Sequence, residues 1–198
     1  MIRLLIFAIV LLSQANSFAQ TVLNDSLRKE LEAIYAADQQ PRHAVNQIIK
    51  QYGIDSPQLD SLGQFIRKTD SLNQAKVEQI IQKYGWLGKS EVGDMANQTL
   101  FLIIQHSDIA IQEKYLPLLR KSVSNEESNT YDLALMEDKV LISQGKKQLY
   151  GTQVKRNPQT KQYEVLPIED EKNIDKRRKK MGMDSLAEYL KGFGITYK

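Results

Sequence analysis

The chain has no cysteine among its 198 residues. That one absence excludes disulfides, thiolate nucleophiles, zinc–thiolate centres and a lipid anchor carried on cysteine. Histidine is nearly missing too, with only His43 and His106. A catalytic zinc wants about three protein ligands, and no HExxH spacing supplies them, so no residue is assigned to a metal. There is no Gly-rich phosphate loop and no GxSxG elbow. An excess of one charge is also lacking: 27 basic residues stand against 24 acidic ones. So even a balance demands neither nucleic acid nor an anionic membrane.

One long apolar run is present, over residues 4–12, with Arg3 before it and Ser17-Phe18-Ala19 after it. It is shorter than the roughly 20 residues that span a bilayer. Positive start, apolar centre and small residues at the end read as a cleaved signal peptide over 1–19. The mature chain then begins at Gln20 or Thr21, periplasmic or secreted, with no stable membrane span after cleavage. Residues 20–198 suit a single, mainly helical α+β domain, long enough for a core without staples.

Apolar residues at helical spacing dominate 25–124. Asp25 or Ser26 can cap a first helix, Gly53 ends it, and Pro41 is expected to kink or split it near Gln40. Ser56-Pro57 opens a second, ended by Gly85. A third follows Ser90 or Glu91 and runs to His106, and a fourth covers 109–121. Ile34, Asp38, Val45, Gln47, Ile48, Ile49, Tyr52 and Gly53 recur 32 residues later as Ile66, Asp70, Val77, Gln79, Ile80, Ile81, Tyr84 and Gly85. Two copies are too few for a repeat array. They read as two similar amphipathic helices in an αα-hairpin, both aspartates facing one space, or as shared helical patterning.

Three β-type runs come later: Val140-Leu141-Ile142, residues 148–154 and residues 163–166, with turns at 143–146 and Asn157-Pro158. The expected class is therefore α+β, a body of four to six helices with one small three-stranded antiparallel meander near 139–166. A short helix from Asp184 or Ser185 to Leu190 closes the chain. The basic run Lys176-Arg177-Arg178-Lys179-Lys180 reads first as a solvated helix face, and second as a polyanion or membrane-surface patch.

Polar residues interrupt the helical stripes. After Leu27, Leu31 and Ile34 come Asp38 and Arg42; after Leu59, Leu62 and Ile66 come Asp70 and Asn73; Leu100 and Ile103 lead to His106. Such groups aimed at a core are costly unless paired or used. Asp38 and Arg42, four apart, can form a structural ion pair or an anion clamp. Asp70 is a buried, partnered carboxylate or a general base. His106 is a helix-end charge or an acid/base group. Gly151, within Tyr150-Gly151-Thr152-Gln153, marks a bulge or a close approach, to a ligand or to a packed helix.

The order Asp38-Gln39-x-x-Arg42, Asp70-x-x-Asn73, Gly85-Trp86, Val92-Gly93, Gln105-His106-x-Asp108, Asp138-x-Val140, Gln148-x-Tyr150-Gly151-Thr152-Gln153 and Arg177-Arg178 resembles the bacterial family catalogued as domain of unknown function 6624. The likeness covers about residues 25–192. Relatives commonly carry Pro where Leu87 stands and Arg where Lys139 stands. The resemblance implies that Asp38, Arg42, Asp70, Asn73, His106, Asp138, Tyr150 and Gln153 belong to the family's pattern, and it names no reaction.

Two functions follow as expectations. In the first, a polar pocket takes a small anionic ligand for hydrolytic or lyase-like chemistry. His106, Asp70 and Asp38 handle protons, and Arg42, Asn73, Asp138, Tyr150 and Gln153 bind, the cofactor staying open. In the second, the same residues form a structural network in a non-catalytic envelope module that binds a peptide, glycan or protein. A third reading retains the leader and sets the basic run against lipid heads.

Overall fold

The computed structural model describes residues 2–197, with side chains from residue 24 onward. The signal peptide expected over 1–19 lies outside the described side chains. Eight α-helices and a small antiparallel sheet make up the described residues: α1 Ile2–Tyr52, α2 Pro57–Tyr84, α3 Lys89–Val92, α4 Asp94–His106, α5 Ile109–Ser124, α6 Thr130–Ser143, β1 Val154–Arg156, β2 Tyr163–Val165, α7 Ile174–Lys180 and α8 Leu186–Lys191. The class is α+β and mostly helical. The chain divides into two compact units, residues 1–103 and 104–198, the division falling inside α4.

In the first unit α1 and α2 pack as an antiparallel hairpin. Ser56 caps α2, its hydroxyl accepting from the Leu59 amide at 3.3 Å, and Pro57 takes the first helical position, where a missing N–H costs nothing. Gly85 ends α2 at φ +81°, a conformation that favours glycine. The buried stripe is Leu27, Leu31 and Ile34 on α1 and Val77, Ile80 and Ile81 on α2. Towards the turn, between residues 39 and 72, only Ser56 is buried.

Two expectations change here. Helix α1 does not start at the Asp25–Ser26 cap but reaches back to Ile2, and of the kink or split expected at Pro41 the split does not occur. The proline removes one backbone donor. Arg42, on the next residue, turns its Nη1 to the Asp38 carbonyl at 3.5 Å. The expected third helix is divided by Gly93, at φ +86°, into the one-turn α3 and the longer α4.

In the second unit α5 packs on α6, with Tyr115, Leu116 and Leu119 buried on one and Leu133, Met136 and Val140 on the other. The meander is corrected from three strands to two. Val140-Leu141-Ile142 belongs to α6, because Leu133, Met136 and Val140 continue a helical spacing that outweighs three apolar residues read alone. Tyr150-Gly151-Thr152-Gln153 lies in no strand, since its amides bond elsewhere. What remains is β1 against β2, pairing Val154 with Val165 and Arg156 with Tyr163, and one isolated parallel bridge from Gln148 to Ile168. A small core of Ile174, Leu186 and Leu190 seats this hairpin and the C-terminal residues Phe193, Ile195 and Tyr197. Ser185 caps α8 as its sequence position suggests.

Candidate functional site

The first polar group sits in the α1–α2 seam. Asp38 and Asp70 each lie sixteen residues from Ile54 in the turn, so an antiparallel hairpin sets them at one height. Arg42 Nη2 stands between them, 2.9 Å from Asp70 Oδ1 and 3.4 Å from Asp38 Oδ1. Gln39 donates to Asp38 Oδ2 at 2.6 Å. Asp38 is 1% exposed, whereas Asp70 and Arg42 are half-buried. The guanidinium is itself the cation between the two carboxylates, a pairing stronger than a neutral hydrogen bond. Asn73, one turn beyond Asp70, is buried, and its Nδ2 has no hydrogen-bond partner among the described residues.

The second group is in the other unit, around Asp138 on α6. Its carboxylate is fully buried. Oδ1 accepts from the amides of Leu149 at 2.6 Å and Tyr150 at 3.0 Å. Oδ2 accepts from the Thr152 amide at 3.0 Å and the Thr152 hydroxyl at 2.9 Å. Burial pushes the carboxyl upward, opposed by these donors. All of the partners donate, which suits the ionised form.

The loop around it is clamped from outside as well. Gln148, fully buried, donates to the Gln153 and Leu166 carbonyls and accepts from the Gln153 amide. Arg178, 1% exposed, donates to the Tyr150 carbonyl and the Asp184 carbonyl at 2.6 Å each and lies over the Tyr189 ring. Tyr189 in turn donates to the Thr152 carbonyl at 2.9 Å. Arg177 holds the Leu149 carbonyl at 2.8 Å. The basic run is therefore not one solvated face: two of its five cations are built into the loop's support. Gly151, at φ +71°, would place a Cβ 2.6 Å from Leu186 Cδ1, so the close approach is to α8.

Tyr150 donates to Glu137 Oε2 at 3.2 Å, and burial with that carboxylate pushes its phenol up to about 12. Gln153 bonds the Thr152 hydroxyl at 3.0 Å and the Leu135 carbonyl at 3.4 Å. His106 ends α4 and is exposed. At the same helix end, Gln112 donates to the Gln105 and Ser107 carbonyls and Lys139 Nζ to the Gln105 carbonyl at 2.9 Å. These are donors where a helix C-terminus needs them. The Lys139 ammonium and the Gln112 amide share this task.

The sequence did not single out Gln112 or Tyr189, and it gave Gln148 and Arg178, though both stand in the motif order, no site role. Ile174 and Arg178, four apart and both buried, mark the inward side of α7 by their spacing. Clefts do open elsewhere, one of ≈ 430 Å³ at Asn24, Arg28 and Glu91 and one of ≈ 500 Å³ at Ile174, Asp175 and Tyr197. Neither is lined by an expected site residue.

Neither a curated protein nor a solved structure matches the chain. A family model does, over residues 25–198, and that family is described as one of unknown function, DUF6624.

Proposed function

The chain belongs to DUF6624, and we propose that this member is a non-catalytic interaction module of the cell envelope. Its polar residues hold the fold, and its surface rather than a pocket does the binding. Export rests on the leader at residues 1–19. The observation that carries the reading is the Asp138 carboxylate, whose two oxygens are taken up by three amides and a hydroxyl of one loop. A buried carboxylate so engaged has no lone pair left for a substrate. Arg42 supports the same view, because its guanidinium already serves two carboxylates.

The test is the melting temperature of Asp138→Asn and Arg42→Gln. Residues kept for catalysis are held at a cost in stability, so replacing them leaves a protein as stable or more so. Residues that hold the fold behave oppositely. Both variants are expected to melt below the wild type, and melting at or above it would overturn the reading.

A further inference from the structure

The α2 helix carries a second stripe, roughly 130° around its axis from the buried line of Asn73, Val77, Ile80 and Ile81 at 3.6 residues per turn. Ser61, Phe65, Lys68, Leu72, Lys76, Gln79 and Lys83 follow one another at three- and four-residue steps, and all are exposed. Phe65 and Leu72 are each 57% exposed, seven residues apart and hence on one line. Three lysines share the line and no acidic residue does. The acids of this helix, Asp60, Asp70 and Glu78, lie at other angles. From Phe65 to Lys83 the stripe runs about 27 Å at roughly 1.5 Å per residue.

An exposed Phe and Leu set among lysines is not explained by solubility, for which lysine alone suffices. The line runs along the exposed face of a single helix, whereas a peptide helix is recognised by a groove between elements. A flat counter-surface that is anionic at its face and apolar just beneath would meet both kinds of side chain at once. We infer that the Phe65–Lys83 stripe of α2 docks on an anionic lipid surface, the helix lying in the headgroup plane with Phe65 and Leu72 inserted and Lys68, Lys76 and Lys83 among the headgroups. The inference rests on the module reading and gives that module its partner.

Juxtamembrane lysines contribute about 1 kcal/mol each at an anionic leaflet, roughly fivefold in partitioning. The full chain, in the form the cell makes, is floated with vesicles of phosphatidylcholine containing 30% phosphatidylglycerol (about that of an anionic leaflet) or none. Binding is expected only with the anionic vesicles, and raised salt should weaken it. Lys68→Glu with Lys76→Glu should lower partitioning by more than tenfold, and Phe65→Ser with Leu72→Ser by about tenfold. Circular dichroism verifies that each variant folds, and any leader is common to all. Equal binding to both vesicle types, no binding at all, or variants that bind like the wild type would each overturn the inference. An overturned docking surface leaves the module reading intact, because that reading is judged by melting alone.

Discussion

Asp38 in the first unit and Asp138 in the second are both fully buried carboxylates on helices, and the protein accommodates them in different ways. Asp38 is met by side chains of its own helix, Gln39 and Arg42, with Arg42 shared across the hairpin with Asp70. Asp138 is met by main-chain amides from a loop eleven to fourteen residues further on. The first solution is electrostatic, partly open to solvent and repairable by another polar group. The second fixes a backbone conformation and tolerates little. The difference teaches that a carboxylate on a helix interior can be the organiser of a distant loop, as Asp138 is.

The largest effect should come from breaking the second arrangement. Asp138→Ala would leave three amides buried without acceptors, and removing one side of such a network costs about 3–5 kcal/mol. Urea unfolding should show the loss undiminished at high salt. Gly151→Ala comes next. It forces φ +71° on an alanine and drives a methyl into Leu186, with about 1–3 kcal/mol from strain and about as much again from overpacking. Amide exchange should quicken across 148–153 while α1 and α2 stay protected.

Arg42→Gln probes the first arrangement and should cost less. The arginine side chain is 23% exposed, so water screens part of the pair, and about 1–3 kcal/mol is the expected loss. Its signature is salt: the gap between variant and wild type should narrow as ionic strength rises. If it stays constant while that of Asp138→Ala narrows, the contrast between the two carboxylates is reversed.

The contrast also explains what the sequence could announce. Leu31, Ile34, Val77, Ile80 and Ile81 repeat at helical spacing, and their burial follows from it. Asp38 and Arg42 are four apart, so their pairing is visible in one dimension. Asp70 joins them because two helices of similar pattern are folded about Ile54, which the 32-residue likeness hinted at. Asp138 has no such trace in spacing: three of its four donors are main-chain amides, and only the loop's path brings them to it. Val140-Leu141-Ile142 is too short for its period to separate strand from helix. Arg178 is hidden among neighbours of like charge, although Ile174 one turn earlier marks the inward side.

Asp132 gives the most discriminating test, its effect vanishing at low pH, because it is a third buried carboxylate with neither of the two solutions. It lies in the first turn of α6, where a helix N-terminus favours an anion. Asn129 offers its Nδ2 only at 3.4 Å. Burial prevails and pushes the carboxyl up to about 6, above the roughly 3.9 of an unfolded chain. Between those values the folded state holds a proton that the unfolded state has released. Stability therefore falls as pH rises from about 4 to about 6 and levels off above. Asp132→Asn removes that penalty, so it should gain up to about 2–3 kcal/mol at pH 7 and nothing at pH 4. Urea unfolding at pH 4, 5, 6 and 7 measures the two curves. Parallel curves would mean that the helix terminus and Asn129 compensate Asp132 fully, making it a third solution rather than an unsolved one.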